Sequence, residues 1–406
     1  MSTVRVYIKP FDDDGVYKDW VDVTDDVVEG SIGKFSQQLD NTEYDIGIFR
    51  TANITFKLRN TDGTYSDVTN ANSMFRYKRR DSLVKFTWSA GQESLVCGFF
   101  TCPAVLSYEE DAFKGLLNDD SVVEDIEAQT VQFGVLGLEY LMQKTKVPYG
   151  SLSIGQTAAN LIYTCLNQAP ITALITVTLG NITLDLNQTV DAVTWFENKT
   201  VLEAVSHMLL LSNSVMTIDN DIIYAKPRDE SASLMFTFYG QASDDGIENI
   251  LDIMNFRTGM NRVFNFVRWK DTSLVSEDTT STAKFGLIVK ELESTVYNDN
   301  TKRTNILAQI KNEFSTARME LQITTYITSE TLALKLLDKV NINYPAIAIV
   351  ADDVDLPIYG IAQYGIDKYP DTLSNFELNE TQYFKIMARS VDIRNDMITF
   401  NLREVG

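Results

Sequence analysis

Residues 53–59 read Asn53-Ile54-Thr55-Phe56-Lys57-Leu58-Arg59. Ile54, Phe56 and Leu58 alternate with polar neighbours, so a strand here puts all three on one face and the polar set on the other. Asn60-Thr61-Asp62-Gly63 then breaks the run with turn chemistry. Towards the N-terminus, Val4, Val6 and Ile8 alternate with Arg5, Tyr7 and Lys9, and Pro10 ends that strand. Asp12-Asp13-Asp14-Gly15 is a turn, and Trp20, Val21 and Val23 predict a second strand. Towards the C-terminus, Leu83–Trp88 and Leu95–Thr101 predict a strand pair joined across Ala90-Gly91-Gln92. The first part is thus expected to be a small antiparallel barrel or sandwich. The acidic residues of 108–129 read as a solvated loop.

The middle changes period. Ala158, Leu161, Ile162 and Cys165 recur at helical spacing within 156–167. Thr200-Val201-Leu202-Glu203 is a capping box, followed by the apolar stripe Leu202, Val205, Met208 and Leu209. Val215–Ile218 and Ile222–Ala225 predict a short hairpin. The chain then returns to strands. In Arg262–Trp269, both faces are apolar, which predicts burial on both sides. The Ser/Thr-rich stretch 271–283 reads as a loop. Residues 304–318 form a helix with Ile306, Leu307, Ile310 and Phe314 on its stripe. Met319, Leu321 and Ile323, then Val340, Ile342 and Tyr344, alternate as strands. The stretch 384–393, an Arg394-Asn395-Asp396 turn, and Ile398, Phe400 and Leu402 close the chain.

Composition narrows the chemistry. The 406 residues carry 35 basic and 56 acidic side chains, a net charge of −21. Phosphates repel such a body, so specific nucleic-acid binding is not expected, although a negative wall would let DNA slide past. No run approaches the roughly 18–20 apolar residues of a membrane span. Met1–Val6 leads straight into a strand with no leader pattern, which predicts folding in a cytoplasm. Of three cysteines, Cys97 and Cys102 read as small core residues, and their spacing with Cys165 suits neither zinc nor a disulfide framework. The single histidine, His207, lies in the capped helix among apolar residues and reads as structural, which disfavours a Ser/His/Asp triad, a multi-histidine zinc site and a facial triad. Asn60-x-Asp62-Gly63 followed by Asp67 lacks the spacing and closing Glu of a calcium loop and reads as a turn. No phosphate-binding loop is present. We therefore expect no enzyme, no cofactor and no metal. One basic cluster stands out, Arg76, Lys78, Arg79 and Arg80, interleaved with Phe75 and Tyr77. Acidic copies of one chain repel each other, so this cluster is the candidate subunit interface. A solvated loop before the Leu83 strand is the plainer alternative.

The succession of elements resembles the baseplate hub family of tailed bacteriophages, related to the spike proteins of contractile injection systems. Ile54–Leu58 followed by Asn60-Thr61-Asp62-Gly63-Thr64-Tyr65-Ser66 is similar to a segment of tail-tip proteins. Leu95-Val96-Cys97-Gly98-Phe99-Phe100 resembles a family strand, and Ile222-Ile223-Tyr224-Ala225-Lys226-Pro227-Arg228 resembles its hairpin exit. The C-terminal order carries most weight: Asn261-Arg262-Val263-Phe264-Asn265, Lys284-Phe285-Gly286 and Lys290, the 306–314 helix, the 336–342 strand, Lys385-Ile386-Met387-Ala388-Arg389-Ser390, and Leu402-Arg403-Glu404. The acidic connection at 351–360 is longer than the usual one.

The resemblance implies a mainly β fold with an α/β insert, in which two tube-type antiparallel β-barrel domains bracket a small α/β domain. The expected boundaries are 1–115 for the first barrel, 116–230 for linker and insert, and 231–406 for the second barrel with one amphipathic helix. It further implies a homotrimer whose six barrels form a pseudo-sixfold ring in the virion tail tip, assembled in the bacterial host cytoplasm. Such a ring joins the tail tube or distal tail protein to a central fibre or spike and lines the DNA channel, with acidic residues favouring the lumen. Two other readings stand beside it. One is a distal tail protein forming a hexamer. The other is a carbohydrate-binding receptor protein, for which Trp195 and Phe196 would supply exposed aromatics, although Trp195 fits a core anchor better. A cell-wall hydrolase fused to a tail part is disfavoured by the missing histidines.

Overall fold

The computed structural model describes residues 3–39, 52–67, 69–89, 109–219, 221–228, 233–240, 249–257, 262–270, 272–348, 375–378 and 382–405, with backbone alone at 96–97, 100–101, 256, 344–348 and 375–377. The elements expected at 351–360, Cys102 and the Cys97 side chain lie outside the described residues.

A first sheet orders its strands as Val21–Asp22, Thr3–Lys9, Leu83–Ser89, Glu109–Asp125, Thr130–Gly137 and Asn53–Arg59, all antiparallel. The segment 21–33 closes it. Val23 N–H donates to the Val6 carbonyl at 2.9 Å, while Val28 and Gly33 N–H donate to Lys57 and Thr55 carbonyls at 2.9 and 2.8 Å. Both edges are therefore satisfied by the chain's own backbone, which removes the open template an exposed edge presents. Inside, Ile54, Phe56 and Leu58 are buried as the alternation predicts. The Phe56 ring meets Phe86 edge-on at 5.3 Å.

The acidic stretch expected to be a loop is instead the long strand Glu109–Asp125. Ala112, Phe113, Leu116 and Leu117 enter the core while acidic residues line the rest, so a high acid count hid a strand with its apolar residues bunched at one end. The first sheet accordingly runs to Gly137, past residue 115. Among the described residues the pairing expected between 83–88 and 95–101 is not seen. Leu83–Ser89 lies between Thr3–Lys9 and Glu109–Asp125, and Val96–Cys97 pairs only with Phe100–Thr101.

A second sheet orders Leu234–Tyr239, Lys339–Ala348, Tyr383–Asp392, Met397–Glu404, Glu320–Tyr326 and Asp252–Arg257. Ile250 N–H donates to the Tyr239 carbonyl at 3.2 Å and brings its two edges together at one end. Both sheets repeat one order: first strand, third, fourth, fifth, second, then the closing segment that follows the first strand in the chain. One difference separates them. Leu234–Tyr239 runs parallel to its neighbour, whereas Thr3–Lys9 runs antiparallel. Phe35–Gln38, continuing from the first barrel's closing segment, adds to the second sheet on Tyr383–Asp392. The Phe35 ring lies 5.0 Å from Phe113, and one continuous apolar core fills both barrels.

The remaining residues form an α/β body with its own core, drawn from 138–225 and 264–314. Helix Ala158–Leu166 buries Leu161, Ile162 and Cys165, and burial pushes the Cys165 thiol up to about 12. Helix Val201–Leu211 starts with the expected capping box: Glu203 N–H donates to Thr200 Oγ1 at 3.2 Å, and Thr200 N–H to Glu203 Oε2 at 2.7 Å. Strands Ser214–Asp219 and Ile222–Pro227 form the expected hairpin.

Two elements expected in the second barrel belong to this body. Strand Phe266–Trp269 sits in a three-stranded sheet with Val275–Glu277 and Val289–Leu292, and helix Asn300–Phe314 packs its Ile306, Leu307, Ile310 and Phe314 into the same core. The strand is buried on one side only: Val267 and Trp269 face in, while Arg268 faces solvent and pairs with Glu291. The stretch read as a loop, 271–283, contains strand Val275–Glu277 and most of helix Thr279–Phe285, whose cap is Asp278 accepting from Ser281 N–H at 3.0 Å.

Candidate functional site on the barrel surfaces

The four basic residues singled out by sequence share one loop, between the strands Asn53–Arg59 and Leu83–Ser89. Phe75 anchors that loop in the core. Arg79 reaches Asp119 at 2.6 Å and Glu124 at 3.0 Å, and Arg80 reaches Asp120 at 2.8 Å. Lys78 lies over the Phe11 ring at 4.3 Å and within 3.7 Å of Asp81. Arg76 is exposed and stands apart from these pairs. The loop and the acidic bulge of Glu109–Asp125 thus neutralise each other within one chain. Three of the four cations are already engaged within the chain, and Arg76 and Arg80 are both exposed.

The Asn60–Asp67 segment is a turn. Tyr65 N–H donates to Asn60 Oδ1 at 2.9 Å and Thr64 N–H to Asp62 Oδ1 at 3.0 Å, so these acceptors serve backbone. Gly63 has φ +80, a region that favours glycine. Among the described residues no group of three or more His, Cys, Asp or Glu side chains is placed to hold a metal, and no helix is long and apolar enough to cross a membrane. Trp195 is half-buried, stacked on the His207 ring at 3.8 Å, and Phe196 is buried, so neither forms an open aromatic groove.

Sequence reasoning missed a second surface. On the outer face of the second barrel, Ser36, Ser390, Thr399 and Thr324 align across four strands, as do Gln38, Ala388, Asn401 and Gln322 one step along. Ser36 Oγ donates to Ser390 Oγ at 3.2 Å, and Thr324 and Thr399 hydroxyls lie 3.1 Å apart. Asn255 donates to Gln322 Oε1. The amide row borders a groove of about 280 Å³ that Arg257, Arg262 and Glu320 also line. Over these four strands the two rows carry hydroxyl, amide and methyl side chains, and the first row continues to Asp252 on the fifth strand. The available signal was the presence of Gln322, Thr399 and Asn401 at alternate positions of otherwise apolar strands.

No family model matches this sequence, and no curated protein matches it. Solved structures do. A tail protein from Neisseria meningitidis MC58 superposes with TM-score 0.55 at 13% identity, covering 99% of this chain and 96% of that one. Prophage tail protein gp18 from Listeria monocytogenes EGD-e gives 0.52 at 12% identity, covering 98% and 94%. The 43 kDa tail protein of prophage MuSo2 from Shewanella oneidensis gives 0.51 at 10% identity, covering 98% and 97%. At these identities the likeness is one of fold: the chain shares the fold of these tail proteins over almost its whole length.

Proposed function

We propose that this chain is a structural, non-catalytic subunit of a phage tail tip. In this reading it acts as a hub: three copies form a ring whose six barrels meet a sixfold tail tube on one side and a threefold fibre or spike on the other. The observation that carries the reading is the repeat of one strand order in two sheets that share one core. A chain with two like units can present six of them with three copies, and a closed cyclic ring uses one heterologous interface repeated around the axis. A distal tail ring of six copies needs only one such unit per chain. The whole-length fold likeness to phage tail proteins supports the setting.

The uncharged rows on the second barrel suit the lumen. DNA is held electrostatically by neutralised phosphates. Hydroxyl and amide side chains offer it weak contacts, and of the arginines beside the amide row Arg262 is already paired with Glu320. Arg76, with Lys78, Arg79 and Arg80 behind it, remains the proposed subunit contact. Light scattering on the purified chain tests the assembly: we expect three times the monomer mass, and a hexamer or a stable monomer at high concentration overturns the hub reading.

A further inference from the structure

The two apolar cores of this molecule are separated by a layer of charge. One core fills both barrels and the other fills the α/β body. Leu83 and Leu116 of the first barrel reach into the second core, and Tyr17 and Trp20 pack against its margin. At one end the junction is buried, with Arg403 of the second barrel over the Phe314 ring of the body at 5.1 Å and 3.6 Å from Glu313; around the hairpin it is polar and partly exposed. The hairpin turn of the body is held from both sides, Asp221 by Lys114 of the first barrel and Asp219 by Lys335 of the second. Lys144 of the body meets Asp81 at 2.6 Å. Lys385 donates to the Arg228 carbonyl at 2.6 Å, and Arg262 reaches Glu320 at 3.0 Å. Beside the turn lies a cavity of about 340 Å³ bounded by Asp111, Lys114, Glu139, Asp221 and Arg389. The Oε2 atom of Glu139 is sealed from solvent and has no hydrogen-bond partner.

Polar, hydrated junctions between separately cored units permit relative motion. A junction made of partly exposed ion pairs also weakens as salt screens it, whereas apolar cores do not. We propose that the α/β body is a separately moving unit that rocks on the rigid double barrel, with the Asp219–Asp221 turn as its salt-labile latch. The barrels share one core and keep their mutual geometry while the body swings. This rests on the hub reading only for its purpose, which is to let a fixed ring carry a moving outer part.

Hydrogen exchange on the intact chain tests it. With Lys114→Met and Lys335→Met together, amides of the hairpin turn and of Leu138–Glu139 should exchange about tenfold faster, the combined worth of two partly exposed pairs. Amides of both cores should keep their protection. The unmodified chain gives a second reading without substitution: seam amides should speed up selectively between low salt and about 1 M KCl, where the screening length is about 3 Å. Unchanged seam exchange in both experiments, or joint loss of protection in both cores, overturns the proposal. Each result is read on the chain whatever its mass in solution, so it stands or falls separately from the trimer.

Discussion

His207 shows how a single residue type was legible while its surroundings were not. Its position in the capped helix was clear from sequence. The tertiary fold then stacks it on Trp195, bonds Nε2 with Ser294 at 2.8 Å and brings Lys199 near. Burial, with a smaller contribution from Lys199, lowers its pKa from 6.5 to about 4. The folded state therefore holds fewer protons than the unfolded state between those values, and stability falls as pH drops from about 6.5 to about 4. His207→Gln should flatten that part of the curve by up to about 3 kcal/mol, at about 1.4 kcal/mol per unit. Thermal midpoints of both proteins across this range check it, and an identical slope rules it out. Arg79 and Arg80 make the complementary point. Their charge was visible in the sequence, but their partners Asp119, Glu124 and Asp120 lie some forty positions away.

At the scale of elements, strands with even alternation and helices with a clean stripe were readable. Asn53–Arg59 and Ala158–Leu166 follow their patterns closely. Glu109–Asp125 was not readable, because its inward residues are bunched and a bulge between Asn118 and Val123 resets its register. Its pairing with Thr130–Gly137 depends on glycine. Gly115 faces Gly137, and a Cβ added at Gly115 would stand 2.3 Å from the Leu136 carbonyl oxygen. That neighbour is backbone and cannot move aside cheaply. Gly115→Val should destabilise the first barrel by about 1–3 kcal/mol or more. Chemical denaturation followed by tryptophan fluorescence measures it, and a cost below about 0.5 kcal/mol contradicts the close approach.

For the whole molecule, the decisive feature is the crossing of Phe35–Gln38 from the first barrel's closing segment into the second barrel's sheet. Phe35 is buried between Phe113 and the second sheet, so the barrels share apolar surface and should unfold together. Phe35→Ala removes that bridge at a cost of about 3–5 kcal/mol. Exchange protection in the two barrels, lost in one step in the parent chain, should then be lost in two. A single joint transition in the variant would show that other contacts suffice. Trp88 Nε1–H to Asp396 Oδ1 at 3.2 Å and Lys34 to Asp392 at 2.9 Å also cross this boundary, but they are polar and partly exposed and contribute less.

The sequence by itself determined most strand and helix periods, the capping box at Thr200–Glu203, the hairpin of Val215–Ile218 with Ile222–Ala225, the net acidity and the absence of familiar catalytic and metal patterns. Each of these is written in residues a few positions apart, where backbone geometry alone links spacing to a common face. Only the tertiary structure decided which strands pair, that both barrels share one order, that residues 264–314 join the α/β body, and that the basic loop meets the acidic bulge. Those outcomes depend on partners brought together from distant parts of the chain. Backbone pairing is nearly blind to side-chain identity, so the choice among edges was made by how whole apolar faces fit together in three dimensions.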